Sequence, residues 1–195
     1  MQSYPYKSYK EYLEVQYETN KPRISWTVQK SFVRAEDISI IEKHFKGKRC
    51  VCIGCRHDKE VEDFIDAGFD AIGIDILPTE RQIIGDFNKL ENYFKNESFD
   101  FAYSCHTLEH TNDPIHFLRM IRKICTEGLY LVIPIRENPD VEEPIFFDVM
   151  HTMKTEDLVR ELSPALGNIF VEKQLIRNNP SLPSGAEMAF LIKWN

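Results

Sequence analysis

The chain has 195 residues, 43% hydrophobic and 28% charged, enough to bury one full core without disulfides or metals. A formal net charge of −7 argues against a general electrostatic grip on nucleic acid, which needs clustered Lys and Arg. No apolar run reaches the roughly 18 residues of a membrane span, the Tyr-rich start lacks the apolar core of a signal peptide, and five cysteines, an odd number, fit reduced thiols, so a cytoplasmic setting with no membrane partner is expected.

Residues 1–35 stand apart as an aromatic-rich helical arm, with Tyr4, Tyr6, Tyr9, Tyr12, Tyr17 and Trp26 set among Lys and Glu. A short helix is predicted near 7–18, its aromatic stripe either packed on the domain or closing over a ligand as a lid. From 36 to 195 the pattern is that of one α/β domain. Ile38, Ile40, Ile41 and Phe45 suit an amphipathic helix that stops at Gly47, and Arg49–Ile53 is short, apolar and β-branched enough for a strand. Asp58 is placed to cap a helix that carries Val61, Phe64 and Ile65 and ends at Gly68. Strands are predicted at 71–75, 82–85, 99–104 and 128–134. Asp113-Pro114 opens a helix over 113–125, with Ile115, Leu118, Ile121 and Ile124 on one face. A loop rich in Pro and acids, Pro134 to Pro144, precedes a helix at 155–163, and strands near 169–176 and 186–194 flank a turn-rich 178–185. The expected fold class is α/β: a doubly wound Rossmann-like sheet of about seven strands, mainly parallel, with a C-terminal antiparallel hairpin.

The stretch from Lys48 to Asp58, with Asp75 following 21 residues after Gly54, reads as strand, tight turn, helix and a second strand ending in an acid. A doubly wound fold builds a nucleoside pocket that way, and a carboxylate at the tip of the second strand can accept both hydroxyls of a ribose. Dinucleotide sites need three glycines, because the pyrophosphate approaches the backbone at a helix start. Here the pattern is Gly54-x-Arg56-x-x-Lys59, which lacks two of them, and no Gly-Lys-Ser or Gly-Lys-Thr of a phosphate loop occurs. A ligand that keeps ribose and adenine but lacks phosphates fits better, and S-adenosyl-L-methionine is the obvious candidate.

With those residues in place, 36–135 resembles a small, single-domain class I S-adenosylmethionine-dependent methyltransferase, and the remainder is compatible with that family's closing hairpin. Val51-Cys52-Ile53-Gly54-Cys55 resembles the first motif, and Gly73-Ile74-Asp75-Ile76 the second, whose acid binds the ribose. Gly85-Asp86-Phe87 resembles the segment that holds the adenine. Ser98 to His110 and Gly128 to Pro134 are similar to the fourth and fifth strands with their turns. The resemblance implies cofactor contacts from Gly54, Cys55, Arg56, Asp75, Ile76, Asp86, Phe87, Ser104 and Cys105. It also implies an enzyme that moves a methyl group to oxygen or nitrogen; without an extra recognition domain or an evident basic surface, a small-molecule or sugar acceptor is expected. The first motif is atypical: the family usually has an acid where this chain has Cys52, and small residues where it has Arg56 and Asp58. Arg56, or free amides at the helix start after Asp58, would take the cofactor carboxylate, with Asp58 or an ordered water serving the ammonium. Those departures keep a second class open, a vestigial cofactor-binding protein without turnover.

A hydroxyl acceptor must lose a proton, and His106 is the preferred base, with His110 and His151 behind it; a histidine hydrogen-bonded in its turn is the plain alternative. His106-Thr107-Leu108-Glu109-His110 also spells the H-x-x-E-H of one zinc peptidase class, which needs both histidines on one face of a long helix. The segment follows a strand and meets Asn112-Asp113-Pro114 too soon for that, so no metal is assigned. Cys50, Cys52, Cys55 and His57 match a metal cluster by count alone, and core packing of the thiols is the favoured reading. The loop Arg136 to Glu143 is either part of an acceptor pocket or a solvated acidic loop.

Overall fold

The computed structural model describes residues 8–22, 31–56, 58–111, 113–134, 169–178 and 186–194. His57, His151, Trp26, the acidic loop 136–143, the helix expected at 155–163 and most of the turn expected at 178–185 lie outside the described residues.

Alternation in short apolar runs sets the strands. They are β1 (Arg49–Ile53), β2 (Asp70–Asp75), β3 (Gln82–Ile84), β4 (Phe99–Cys105), β5 (Cys125–Pro134), β6 (Ile169–Asn178) and β7 (Ala186–Trp194). They form one sheet in the order β3-β2-β1-β4-β5-β7-β6. The first five run parallel, and β7 lies antiparallel to both β5 and β6. Because the chain works outward from β1 to β3 and then returns to β4, the sheet reverses direction between β1 and β4. A crevice opens there at the carboxyl ends of the strands. In register, Ile53 faces Ile74 on one side and Ser104 on the other, so the turns after β1, β2 and β4 start at nearly one level.

Period-two alternation gives the sheet two buried faces. Val51, Ile53, Ala102, Leu129 and Leu131 pack with Phe117, Leu118 and Ile121 of α4 (Pro114–Ile124). Cys50, Cys52, Phe101, Tyr103 and Val132 pack with Ile40 and Ile41 of α2 (Ala35–His44) and Val61 and Phe64 of α3 (Lys59–Asp66). The cysteines therefore serve as small core residues, and burial pushes the thiols of Cys50, Cys52 and Cys55 up. The remaining helix, α1 (Tyr9–Asn20), starts at Ser8, whose hydroxyl accepts from the Glu11 amide at 3.2 Å. Among the described residues no helix is long and apolar enough to cross a membrane.

Three local expectations need correction. Asp58 precedes α3 without a side-chain cap; its carboxylate instead accepts from Thr79 Oγ1 at 2.7 Å and from the amides of Glu80 and Arg81 at 3.0 Å each. Ile65 does not join Val61 and Phe64 in the core but is 37% exposed. β5 begins at Cys125, directly after α4, rather than at 128, and the polar Glu127 is accounted for by the amides of Lys46 and Gly47, both 2.7 Å from its carboxylate. Asp113 caps α4 as expected, accepting from the His116 amide at 2.9 Å with Pro114 in the first turn.

Candidate active site

Gly54 leaves β1 at φ +71°, where an L side chain is strained, and a Cβ there would fall 2.2 Å from Thr107 Oγ1. Its amide donates to Ile74 O at 2.9 Å, and Thr107 Oγ1 donates to Ile53 O at 3.0 Å. The turns after β1, β2 and β4 are thus tied into one rim. Two non-glycine residues on that rim, Arg56 (φ +51°) and His106 (φ +52°), also hold the left-handed conformation. Such strain costs roughly 1–3 kcal/mol per residue and concentrates at functional positions.

Asp75 ends β2 at the centre of this rim. It is 7% exposed, and its Oδ2 accepts from the Arg56 amide at 2.9 Å while Oδ1 accepts from the Leu77 amide at 3.0 Å. Burial pushes the carboxyl above its ordinary range, and those amides, with the Arg56 cation, pull it back toward the charged form. Each oxygen has a second lone pair for a ligand. Around Asp75 lies a pocket partly open to solvent. Gly54, Arg56, Ile76 and Phe87 line one side, His106, Thr107 and His110 another, and Tyr12, Leu13, Gln16 and Asn20 of α1 close the third. The aromatic arm therefore packs on the domain and covers the pocket at once.

Asp86 stands just after β3, next to the pocket residue Phe87. Its Oδ1 accepts from the Asn88 amide at 2.9 Å and from the Tyr9 hydroxyl of α1 at 2.8 Å. Asn88 Nδ2 in turn donates to that hydroxyl. Oδ2 is buried without a hydrogen-bond donor, although the Lys89 ammonium stands 3.5 Å away. The fit to an adenosine ligand rests on Asp75, a buried carboxylate that lines the pocket beside the Gly54 turn, where a Cβ has no room; Asp86 is not among the lining residues and is paired with Lys89.

His106 hydrogen-bonds through Nε2 to Glu187 Oε2 at 2.9 Å, and its ring packs on Phe32 at 5.3 Å between centroids. Glu187 comes from β7, 81 residues away, and its other oxygen takes Arg34 Nη2 at 2.8 Å. His110 lines the same pocket with its Nδ1 buried and unpartnered. Burial first, then the charge of Arg56 and the neighbouring His106 ring, push it down to about 4, so its imidazole is neutral near pH 7. Neighbouring Glu109 is buried, which pushes it up to about 8.

Of the residues expected at the site, Gly54, Arg56, Asp75, Ile76, Phe87, His106 and His110 meet around one pocket. Asp86, Cys55, Ser104 and Cys105 do not line it: Asp86 is taken up by Tyr9 and Asn88 next to Phe87, and the other three are buried, with Cys55 Sγ directed to Cys52 O and Cys105 packed among the core residues. Asp58 is committed to the 79–81 segment, which removes it as the partner of a cofactor ammonium. His106-Thr107-Leu108-Glu109-His110 contains a single 3₁₀ turn, 108–110, and its first histidine is left-handed, so the two histidines do not share a helix face as the zinc motif requires. Among the described residues no group of three His, Cys, Asp or Glu is arranged to hold a metal ion. The sequence reading missed Thr107, Glu187, Arg34 and the roles of Tyr9 and Tyr12. Only the Tyr stripe of the arm signalled any of them.

A family model described as a methyltransferase domain matches residues 29–175. No curated protein matches the sequence. Among solved structures, 1,6-didemethyltoxoflavin-N1-methyltransferase of Burkholderia thailandensis, with S-adenosylhomocysteine bound, superposes with a TM-score of 0.69 at 14% identity, covering 98% of this chain and 92% of that one. Magnesium protoporphyrin IX methyltransferase of Synechocystis gives 0.63 at 12% identity over 94% and 97%. An S-adenosylmethionine-dependent methyltransferase of Methanosarcina mazei gives 0.61 at 16% identity over 79% and 96%. At these identities the structures speak for the fold, and the family model, matched over most of the sequence, assigns the chain: it belongs to the methyltransferase-domain family, the class I S-adenosylmethionine-dependent methyltransferases.

Proposed function

We propose that this chain binds S-adenosyl-L-methionine in the Asp75 pocket and transfers its methyl group to oxygen or nitrogen of a small molecule or sugar. The observation that carries the reading is the meeting, in one pocket at the reversal of the sheet, of a buried ribose-type carboxylate and a histidine held by a second carboxylate. The cofactor supplies a methyl carbon already activated by its sulfonium, so little covalent chemistry is left to the protein. Asp75 accepts the ribose hydroxyls with its second lone pairs, and Asp86, next to Phe87, is the acid that the resemblance assigns to the adenine amine. Phe87 offers the ring an apolar wall, and Arg56 pairs with the methionine carboxylate. Tyr12 and Leu13 of α1 exclude water from the remaining side. His106 takes the proton of an acceptor hydroxyl, with the neutral His110 beside it as a hydrogen-bonding group.

Calorimetric titration with S-adenosylmethionine, S-adenosylhomocysteine, NAD and zinc tests the cofactor, and transfer of labelled methyl to a panel of small hydroxylic and amine acceptors tests the reaction. The reading expects micromolar binding of the first two compounds and a labelled product. Tight binding of NAD or zinc in their place overturns it. Homocysteine-compound binding with no turnover on any acceptor supports the vestigial class instead, toward which Cys52, buried where the family has an acid, already points.

A further inference from the structure

We infer that Glu187 is a positioning residue that fixes the tautomer of His106, and that Arg34 fixes which face Glu187 presents to it. This inference rests on the reading of His106 as the base.

Glu187 is the second residue of β7, opposite Pro134 of β5, and so brings a carboxylate to the pocket rim from an antiparallel strand. Its side chain is 2% exposed. Oε1 lies 2.8 Å from Arg34 Nη2 and Oε2 lies 2.9 Å from His106 Nε2. Arg34 is itself held, donating to Asn178 O at 2.9 Å from the same nitrogen. The His106 backbone is held by its amide, which donates to Val132 O at 2.9 Å, and the Phe32 ring lies tilted against the imidazole at 5.3 Å between centroids.

A carboxylate accepts and never donates. A neutral His106 bonded to Glu187 must therefore carry its hydrogen on Nε2, which leaves the lone pair on Nδ1. No partner for Nδ1 occurs among the described residues, and His106 lines the pocket, so Nδ1 is the nitrogen available to an acceptor hydroxyl. When that hydroxyl proton passes to Nδ1, the ring becomes an imidazolium whose Nε2–H still faces the Glu187 carboxylate. The charge created by proton uptake meets a fixed countercharge 2.9 Å away, and no proton passes to Glu187. An Arg34–Glu187 pair that only fastened the hairpin would have no need to aim its second oxygen at a pocket histidine.

Glu187→Gln separates these roles. Arg34 donates only, so it selects the amide oxygen and turns the amide NH₂ toward His106 Nε2, which must then accept. The ring hydrogen moves to Nδ1, where it blocks the base. Long-range ¹H–¹⁵N correlation spectra of ¹⁵N-labelled protein at pH 8.5, with His106 assigned from His106→Ala, read this directly. Wild type is expected to show hydrogen on Nε2, and E187Q hydrogen on Nδ1, with turnover down about 10²-fold and S-adenosylhomocysteine affinity unchanged within about twofold, since Glu187 lies outside the cofactor contacts proposed above. In the double variant Arg34→Met with Glu187→Gln the amide is free to present either atom, so the exclusive Nδ1 hydrogen of E187Q is lost. Hydrogen on Nδ1 in wild type overturns the proposal without any variant, and so does an unchanged pattern in folded E187Q. If instead H106A turns over at the wild-type rate, the base reading itself fails, whatever the tautomer shows.

Discussion

Replacing Asp75 by Asn changes one oxygen to NH₂ and keeps the shape, so its effects can be worked through from the hydrogen bonds in place. Both carboxylate oxygens already accept a backbone amide, from Arg56 and from Leu77. In D75N the amide nitrogen must confront one of these donors, leaving a buried N–H unpaired at about 2 kcal/mol, which for a chain of this size lowers Tm by ~6 °C. The ribose loses more. Two hydrogen bonds to a charged acceptor, each worth ~1.5–3 kcal/mol, become one to a neutral oxygen, and ~3 kcal/mol of lost affinity raises Kd about 100-fold. Calorimetry with S-adenosylhomocysteine on folded D75N, alongside thermal melts without ligand, separates the two effects. A lowered Tm with Kd within about threefold of wild type would show that Asp75 only holds the rim together, and the reasoning about the ribose would be refuted.

Gly54→Ala forces a Cβ into Thr107 at a left-handed backbone position, at a combined ~3 kcal/mol including the lost Thr107–Ile53 bond; urea unfolding checks it, and a change under about 0.5 kcal/mol contradicts the described rim. Glu109 is raised from 4.5 to about 8 by burial, so its contribution is complete below pH 4.5 and disappears as pH rises through 8. Wild type should therefore lose stability relative to Glu109→Gln across that window, by ~5 kcal/mol at most, in denaturant melts at pH 5 and pH 9. His110 has the opposite sign: held at about 4, it contributes above pH 6.5 and its contribution is lost as pH falls through 4, so His110→Gln flattens the acid limb of the same curve. Tyr9→Phe removes the hydroxyl that orients Asp86, and should weaken S-adenosylhomocysteine binding about threefold to tenfold with ~1 kcal/mol lost from stability; tighter binding would mean that the arm competes with the ligand instead.

The strands were legible because each is a short apolar run bounded by turn residues: β1 and β7 fall at 49–53 and 186–194, as expected from the local pattern. The ribose carboxylate was legible for the same reason, since a strand ending in Asp75 after a glycine turn fixes its place in a parallel sheet. What was hidden depends on contacts distant in sequence. Asp58 looks like a cap, but the amides it serves are 22 and 23 residues away, in a loop with no pattern of its own. Glu187 reads as one polar residue in an edge of alternating strand, and nothing local reveals that β7 inserts between β5 and β6 and delivers it to His106. β5 starts three residues early because α4 passes into it without a glycine or proline to mark the change. The aromatic stripe of α1 was visible, yet whether it packs or covers depended on Tyr9 reaching Asp86 across 77 residues.

The central claim is that the carboxyl rim of β1, β2 and β4 holds a phosphate-free adenosine compound by Asp75. A crystal structure of the protein with S-adenosylhomocysteine decides the matter: both ribose hydroxyls are expected within hydrogen-bond distance of the Asp75 carboxylate, with the adenine against Phe87. Density for the compound elsewhere, or a ribose that leaves Asp75 bonded to the Arg56 and Leu77 amides alone, would contradict it.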